Sequence, residues 1–355
     1  MRNSVNSNNI LLHASYFANN FGDVFLWDII KGLITQEAPG VNLYYVNIPE
    51  NLLKVYDPEK RMSQATSTQP IYLTLFSGGG YLTPPSNAKL KWHIRNFFRH
   101  RRAVELARRA ERVAFLGVGV GQLAYSPLGW LLRRIPERSI VTAWLRDSAS
   151  SYHFQELFPK THTSNVDDLV FANLAATYEH NVTVKTVLPR LGLHVDLSGM
   201  DDNKQRVLFQ AIDVLNETYF GEIVLFTDCE SPNAKRTRQE LIRRLKRKPA
   251  EIIFQGKCDA FLKEIARCSY MITTKLHVGI CAAACQVPVL SIPAHPKTPR
   301  FYSKIGMPHA IADDGRSDVA SLLRDPSRYT VDDRILHDAA NDYARLSEEI
   351  RALIK

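Results

Sequence analysis

Short apolar runs alternate with helix-forming segments along this chain of 355 residues, and this alternation constrains the fold more than any other feature. Ile10 to His13, Ile71 to Phe76 and Val113 to Leu116 are apolar runs of this kind, and each precedes a segment with helical periodicity. Strands that alternate with helices are typical of βα units, which build a mostly parallel sheet. The sequence therefore predicts the α/β class.

The length of the chain indicates more than one domain, because it exceeds what a single hydrophobic core usually supports. A new series of strands is predicted to begin at Val182 to Leu188, directly after a plausible hinge at residues 176–181. We expect an N-terminal α/β domain over 1–178 and a C-terminal α/β domain over 179–328. A final helix within 329–355 is expected to pack back on the N-terminal domain.

A predicted strand-to-helix junction in the second half carries a lysine and a histidine. The apolar run Tyr270 to Ile272 indicates a buried strand, and Thr273 and Thr274 can cap the helix that follows. Lys275 and His277 then stand in the first turn of that helix. Ligands of open α/β sheets bind at this edge, and helix N-termini favour anions.

The next predicted strand, Val287 to Ile292, leads into a loop with further candidate ligand-binding residues. His295, Lys297 and Arg300 lie on this loop. Together with the preceding junction, it brings three fixed cations and two histidines to neighbouring strand ends. The sequence thus predicts an anion site, for a phosphate or a carboxylate.

Glycine-rich turns follow several predicted strands of the first half. They are Gly78-Gly79-Gly80, Gly117-Val118-Gly119-Val120-Gly121 and Asn20-Phe21-Gly22-Asp23, with Asp23 placed to cap a helix. Glycine lets a backbone pass close to a ligand or adopt positive φ. Each turn, considered singly, is better explained by a structural role than by ligand binding. Together, however, the turns line one edge of the predicted first sheet, which favours a role as the wall of a cleft. The second turn matches the dinucleotide fingerprint only loosely, so a nicotinamide site has little support.

Most of the net positive charge of the chain is concentrated in one predicted helix. Between Lys89 and Arg112 there are nine Lys or Arg against two Glu, a net charge of +7, out of +9 for the whole chain. Trp92, Phe97 and Phe98 lie among these cations. A solvated helix face, docking on an anionic membrane or lipid-diphosphate acceptor, and nucleic-acid binding all remain open. No recognised nucleic-acid module accompanies the segment, so we expect no nucleic-acid partner.

The remaining composition favours a cytoplasmic enzyme, with a peripheral position at the inner face of a membrane left open. The polar N-terminus lacks the apolar region of a secretory signal, and no apolar run is long enough to span a membrane. The five cysteines form no CxxC pair, which indicates reduced thiols. No His or Cys cluster has metal-ligand spacing, so we expect no metal and no cofactor.

Seven motifs, in the correct order along the chain, resemble those of the polysaccharide pyruvyl transferases. They are Gly22-Asp23 with the helix that follows, Gly78-Gly79-Gly80, Gly117 to Gly121, Arg146-Asp147-Ser148-Ala149-Ser150, Asp167 to Phe171, Lys275-Leu276-His277, and Val287-Pro288-Val289 with Pro296-Lys297. Two departures are notable. Lys275 replaces the usual Arg and loses its bidentate fork, and Gln286 replaces a Gly.

The resemblance implies both a fold and an activity. The fold would be two Rossmann-like domains resembling the GT-B glycosyltransferase architecture, with the active site in the interdomain cleft. The activity would be transfer of pyruvate from phosphoenolpyruvate to a hydroxyl pair of a saccharide, either free or lipid-linked. The product is a ketal in an exopolysaccharide or cell-surface glycan, and phosphate is released.

The resemblance also suggests roles for individual residues. The resemblance implies that His277 is the general acid. His295 is a secondary acid or base candidate by its position alone, because a histidine there is not typical of the family. Cations suit the carboxylate and phosphate of the donor, and the candidates are Arg146, Lys275, Lys297 and Arg300. The candidates for the acceptor side or a cleft wall are Asp23, Gly78, Gly79, Gly80, Gly117 and Gly119.

Two other functions remain open at this point. A nucleotide-sugar glycosyltransferase would share the fold, and its glycine turns could bind a diphosphate. A non-catalytic glycan- or membrane-binding scaffold would lack a working acid, which His277 and its neighbouring cations argue against.

Overall fold

The computed structural model describes residues 8–17, 19–84, 90–178, 189–198, 200–293 and 297–354. The chain folds into two compact units. Unit 1 comprises residues 1–19, 23–169 and 342–355, and unit 2 comprises 20–22 and 170–341. The predicted hinge at 176–181 and the predicted strand Val182 to Leu188 fall partly or wholly outside the described residues.

Unit 1 is built on a parallel sheet of seven strands, counted over the described residues, in the order β3-β2-β1-β4-β5-β6-β7. Its strands are β1 Asn9–His13, β2 Asn42–Tyr45, β3 Met62–Gln64, β4 Leu73–Ser77, β5 Arg112–Val118, β6 Ile140–Leu145 and β7 Ser164–Asn165. β1 and β4 are apolar and buried along their whole length, as expected for strands covered on both faces. The strand order reverses between β1 and β4, and this reversal is the topological switch point of the sheet.

The helices of this half connect the strands. They are α1 Phe21–Glu37, α2 Glu50–Tyr56, α3 Leu90–Ala107, α4 Pro127–Leu132 and α5 Ser148–Gln155. Prediction and structure differ for α1: the helix begins at Phe21, so Asp23 lies inside its first turn and not at the cap.

Unit 2 is built on a parallel sheet with five described strands in the order β10-β9-β8-β11-β12. Its strands are β8 Arg190–His194, β9 Glu222–Thr227, β10 Ala250–Ile253, β11 Tyr270–Thr273 and β12 Val289–Ser291. The order reverses between β8 and β11, so the switch point lies at the carboxyl ends of these two strands.

The helices of the second half begin with α6, whose first residue belongs to unit 1. They are α6 Leu169–Thr177, α7 Asp202–Thr218, α8 Pro232–Arg244, α9 Cys258–Ala266, α10 Leu276–Ala284, α11 Lys297–Lys304, α12 Gly315–Arg324 and α13 Asp333–Ile354. The C-terminal part of α13 belongs to unit 1, where Arg351 forms an ion pair with Glu37 at 2.6 Å. Over the ranges that the structure describes, no helix is long and apolar enough to cross a membrane.

The predicted α/β class with parallel sheets is confirmed. The elements that the sequence did not predict are all short. They are α2, α6, α11, α12, β3 and β7, together with β8, which follows the residues expected to form the first strand of the second domain. The expectation of a loop at Lys297 and Arg300 was therefore wrong, because both residues lie in α11.

Candidate active site

The β11–α10 junction of unit 2 holds Lys275 and His277 at the start of a helix. Lys275 occupies the N-cap position, and its side chain makes no capping hydrogen bond. The two threonines that were expected to cap α10 make other hydrogen bonds. The Thr273 hydroxyl accepts a hydrogen bond from the Lys275 backbone N–H at 3.0 Å, and the Thr274 hydroxyl accepts one from the backbone N–H of Asp196 at 2.8 Å. The threonines thus fix the junction itself and connect it to the loop after β8.

His277 is half-buried and packs directly on Gly22. A Cβ built on Gly22 would lie 1.9 Å from Nδ1, 2.5 Å from Cγ and 2.9 Å from Cβ of His277. Heavy atoms cannot approach this closely, so an alanine at this position would displace the imidazole. Glycine is therefore required at position 22 by the contact with the histidine.

Residues 20–22 are held in place by the end of β9 and by aromatic packing. The Phe21 backbone N–H donates to the Asp228 carbonyl at 3.0 Å, and Asn20 forms an isolated antiparallel bridge with Cys229. The Phe21 ring lies 4.7 Å from that of Phe261, centroid to centroid. Gly22, which contacts His277, is therefore held in place by the backbone pairing of Asn20 and Phe21 and by the packing of the Phe21 ring.

A buried polar network surrounds the Lys275 ammonium. Nζ lies 3.3 Å from Asp196 Oδ2 and 3.3 Å from Asp228 Oδ2, and Asp228 Oδ1 lies 3.2 Å from His194 Nε2. His194 and Asp228 are both buried. These residues follow or end β8, β9 and β11, so the strand order brings them together at the switch point.

The network changes the ionisation of its members. Burial disfavours the charged form of Lys275, but the carboxylates of Asp228 and Asp196 outweigh this effect and hold the pKa of Lys275 above its ordinary value. Burial raises the pKa of Asp228, but the neighbouring His194 and Lys275 outweigh it, so that the pKa of Asp228 lies below its ordinary value. The ammonium and both carboxylates are therefore charged near neutral pH, and two negative charges surround the one positive charge.

The other predicted residues of this half lie on or near α11. Lys297 is half-buried in its first turn, and Arg300 is exposed. His295 lies outside the described residues. Helix α11 packs on α10 at Gly279, where a Cβ would lie 2.3 Å from the Tyr302 hydroxyl, so this glycine permits the close approach of the two helices.

Unit 1 brings together Arg146 and the glycine turns. Arg146 follows β6 and is only 12% exposed, and its Nε lies 3.6 Å from Asp147 Oδ2. Asp147 caps α5, where it accepts hydrogen bonds from the Ser150 N–H and hydroxyl, both at 2.7 Å. A Cβ on Gly119 would lie 2.7 Å from one terminal nitrogen of the Arg146 guanidinium, and a Cβ on Gly80 would lie 3.7 Å from the other.

The two glycine turns are also bonded to each other. The Gly119 N–H donates to the Gly79 carbonyl at 2.9 Å. Gly78, Gly79 and Gly117 have φ of 49°, 83° and 67°, a region that side chains disfavour. A Cβ on Gly79 would lie 3.8 Å from Asp23 Oδ1, so Asp23 borders the same turn. Two of the three turns expected at one edge of the sheet therefore lie together, with Asp23 beside them, whereas residues 20–22 of the third turn belong to unit 2.

Three residues of the unit 2 network were not predicted from the sequence: His194, Asp196 and Asp228. The available signal was weak, because it consists only of polar residues directly after two apolar strands. Over the described ranges, no group of three or more His, Cys, Asp or Glu side chains is arranged to hold a metal ion.

Solved structures with the same fold include sugar-nucleotide enzymes. A UDP-GlcNAc 2-epimerase from Methanocaldococcus jannaschii matches with a TM-score of 0.58 and 12% identity, over 95% of this chain and 98% of that one. A glycosyltransferase from Rickettsia africae ESF-5 matches with a TM-score of 0.56 and 12% identity, over 98% of both chains. The S. aureus MnaA–UDP co-structure matches with a TM-score of 0.55 and 11% identity, over 96% of this chain and 94% of that one. At these identities the likeness shows the fold alone, and it confirms two Rossmann-like units.

Sequence comparison gives the family. No curated protein matches the chain. A family model described as polysaccharide pyruvyl transferase matches residues 20–296, which is well over half of the sequence and includes Gly22, Arg146, Lys275 and His277. The resemblance seen in the motifs is thereby confirmed, and the chain belongs to the polysaccharide pyruvyl transferase family.

Proposed function

We propose that this protein transfers pyruvate from phosphoenolpyruvate to two hydroxyl groups of a saccharide, in the synthesis of an exopolysaccharide or cell-surface glycan. The observation that carries the proposal is the contact between His277 and Gly22. The family's histidine element and its Gly-Asp element lie far apart in the sequence, and within unit 2 the glycine of one makes room for the imidazole of the other.

The proposed reaction needs a proton donor at one carbon atom. His277 donates a proton to C3 of the enol, C2 becomes electrophilic, and one sugar hydroxyl oxygen attacks C2. The C2–O bond to phosphate then breaks, and the second hydroxyl oxygen bonds to C2 to close the ring. One of the two hydroxyl protons returns to His277 and replaces the proton that C3 gained, and the other leaves with the phosphate. An imidazole suits this role because its ordinary pKa lies near neutrality. The reaction written in this way uses no cofactor.

We propose that cations hold the donor's carboxylate and phosphate, with Arg146 as the main one. Its planar guanidinium can bind either group in a bidentate manner, and a single carboxylate lies beside it at 3.6 Å. Lys297 and Arg300 are proposed as further donor-binding residues. Lys275 is proposed to contribute less, because two carboxylates already compensate its charge.

The remaining predicted residues are proposed to act in supporting roles. His295 is a secondary acid or base, and Asp23 orients acceptor hydroxyls beside the glycine turn at Gly79. The backbone at Gly78, Gly80, Gly117 and Gly119 forms the wall along which the acceptor lies.

The experiment that tests the function measures two products at once. The full chain is incubated with phosphoenolpyruvate and a panel of oligosaccharides, phosphate release is measured, and mass spectrometry identifies any saccharide that gains a pyruvate ketal. Phosphate release that depends on the acceptor, together with the ketal product, supports the proposal. Release of a nucleoside diphosphate from a nucleotide sugar, with no ketal from phosphoenolpyruvate, would instead identify a glycosyltransferase.

A further inference from the structure

Helix α3 presents a row of apolar side chains to solvent. Leu90, Ile94 and Phe98 follow one another at intervals of four residues, so they lie along one stripe of the helix. Leu90 is 66% exposed and Phe98 is 62% exposed. The opposite side of α3 is already packed, since Asn96, His100, Ala103, Val104, Leu106 and Ala107 are buried. The exposed row therefore does not hold the helix on unit 1.

The neighbouring helix α4 adds exposed aromatic residues. It packs against α3. Trp130 of α4 is 64% exposed, and Tyr125, just before the helix, is 90% exposed. Large aromatic side chains at the surface are costly in water, but they are favoured at the boundary between lipid headgroups and acyl chains.

Cations accompany the apolar row. Lys91, Arg95 and Arg101 are exposed on α3, and of these Arg101 is paired with Glu105 at 2.7 Å. Beyond the end of α3, Arg108 and Arg109 are also exposed. A helix that combines a row of apolar side chains with flanking Lys and Arg matches the chemistry of an anionic lipid surface.

Helix α8 of unit 2 provides an internal comparison. It is also basic, with Lys235, Arg236, Arg243 and Arg244 exposed, but none of its described residues is an exposed large hydrophobic side chain. A solvated basic helix of this chain therefore does not need an apolar row, and the row on α3 requires a separate explanation.

We propose that the outer face of α3 docks on a membrane surface rich in anionic lipid, together with exposed Trp130 of the helix α4 that packs against α3. Lys91 and Arg95 bind lipid phosphates, and Leu90, Ile94 and Phe98 reach the acyl boundary. Nucleic acid would be bound by the cations and by aromatic stacking, but it would gain nothing from Leu90 and Ile94. A second copy of the same face would bring like charges together. This docking does not depend on the reaction that the protein catalyses.

Vesicle flotation with the full chain tests the proposal. The vesicles contain either phosphatidylglycerol with phosphatidylcholine or phosphatidylcholine alone. The parent protein is expected to float with the anionic vesicles and to be released by high salt. Lys91→Glu/Arg95→Glu is expected to weaken the partition at least about tenfold, since each basic residue near the surface contributes measurably. Phe98→Ser is expected to weaken it about three- to tenfold through lost apolar burial.

Matched variants separate the proposed face from general effects. Lys235→Glu/Arg236→Glu makes the same charge change on α8, and Tyr152→Ser removes an exposed aromatic side chain elsewhere in unit 1. Both controls are expected to retain at least half of the parental partition.

Three outcomes would overturn the proposal. The parent protein could fail to float with anionic vesicles. The two charge variants could lose binding equally, which would indicate a response to net charge alone. An oligonucleotide could bind with a loss in Lys91→Glu/Arg95→Glu but not in Phe98→Ser, with no flotation, which would identify a nucleic-acid surface.

Discussion

In both sheets, candidate site residues follow the carboxyl ends of the strands, but the charged side chains there are arranged differently. At the carboxyl ends of the unit 2 strands, the candidate cation Lys275 lies 3.3 Å from each of two carboxylates. In unit 1, the candidate cation Arg146 lies 3.6 Å from one described carboxylate, that of Asp147, and borders the glycine turns at Gly80 and Gly119. The comparison favours Arg146 over Lys275 as the proposed donor-binding cation, because one carboxylate and not two compensates its charge.

A second difference concerns the glycines that contact these residues. A Cβ on Gly22 would meet Nδ1 and Cγ of the His277 ring and also the Cβ of His277, and that Cβ cannot move without the helix that carries it. A Cβ on Gly119 would meet the terminal nitrogen of the Arg146 side chain, which is flexible. The same Gly-to-Ala change should therefore be far more harmful at position 22 than at position 119.

The largest effect is expected for His277→Ala. Removal of the general acid should lower kcat by about 10²–10⁴-fold, because this is the usual contribution of a positioned proton donor. Binding of phosphoenolpyruvate, measured by calorimetry, should change little. His153→Ala is the control, since that histidine lies on the surface of α5 and pairs with Glu156. Equal turnover in the two variants would remove His277 from the mechanism.

The next largest effect is expected for Gly22→Ala. The φ of Gly22 is not in the positive region, so its cost should come from the displaced imidazole alone. We expect kcat to fall about 10²-fold, and the double variant Gly22→Ala/His277→Ala should be no worse than His277→Ala, because both changes remove the same function. Gly32→Ala is the control, since nothing lies within 4 Å of its added Cβ. If the two single losses simply multiply in the double variant, Gly22 does not act through His277.

The ion pairs around Lys275 are expected to contribute to the free energy of unfolding. Lys275→Met would leave the buried carboxylate of Asp228 without its ammonium partner. Loss of one partner of a buried pair costs several kcal/mol, and because Lys275 is 33% exposed we expect about 2 kcal/mol in the free energy of unfolding. The double variant Lys275→Met/Asp228→Asn should recover part of this loss.

Denaturant unfolding measures these changes. Lys204→Met provides the control, because its partner Asp201 is well exposed and a pair of this kind contributes little to stability. A loss for Lys275→Met no larger than that of the control would show that the network does not hold the junction.

Sequence reasoning succeeded where a feature depends on neighbouring residues. Apolar runs located β1 and β4, which are buried along their whole length, because strand burial follows local composition. Lys275 and His277 were placed at a helix start by the same local pattern. Strands β3 and β7 were missed because Met62–Gln64 and Ser164–Asn165 are short and largely polar.

Features that depend on the order of the strands in a sheet could not be predicted from the sequence. His194, Asp196 and Asp228 meet Lys275 only because β9, β8 and β11 are adjacent in the sheet. The role of Gly22 depends on the pairing of Asn20 with Cys229, more than two hundred positions away along the chain. Local patterns carry no information about such contacts.

A moderate effect is expected at Arg146. Arg146→Lys keeps the charge but loses the bidentate fork, so the KM for phosphoenolpyruvate should rise about tenfold while kcat changes less. Gly119→Ala, which pushes on the guanidinium, should raise the KM about two- to fivefold through the same residue. Arg101→Lys, an exposed change on α3, is the control. A normal KM for Arg146→Lys would indicate that other cations bind the carboxylate and phosphate of the donor. Arg146 would then not be favoured over Lys275 as the donor-binding cation.

The final prediction concerns the pH dependence of stability and again separates the units. In unit 1, His13 Nε2 lies 2.8 Å from His100 Nδ1, and both rings are buried. Burial, with the neighbouring Arg99 second, lowers the pKa of His100 to about 3, and burial also lowers the pKa of His13. The unfolded chain therefore binds protons at these residues below about pH 6.5 while the folded chain does not, so stability falls as the pH drops from about 6.5 toward 3.

The carboxylates of unit 2 affect stability in a lower pH range. The depressed pKa of Asp228 means that its contribution is complete above its ordinary value of 3.8 and is lost only as the pH falls below it. The free energy of unfolding, measured between pH 7 and 4, should thus decrease by up to about 1.4 kcal/mol per pH unit for each histidine kept neutral. His100→Gln should flatten this slope, whereas Asp228→Asn should leave it unchanged. The same slope in His100→Gln as in the parent would show that acid sensitivity does not arise from the histidine pair of unit 1.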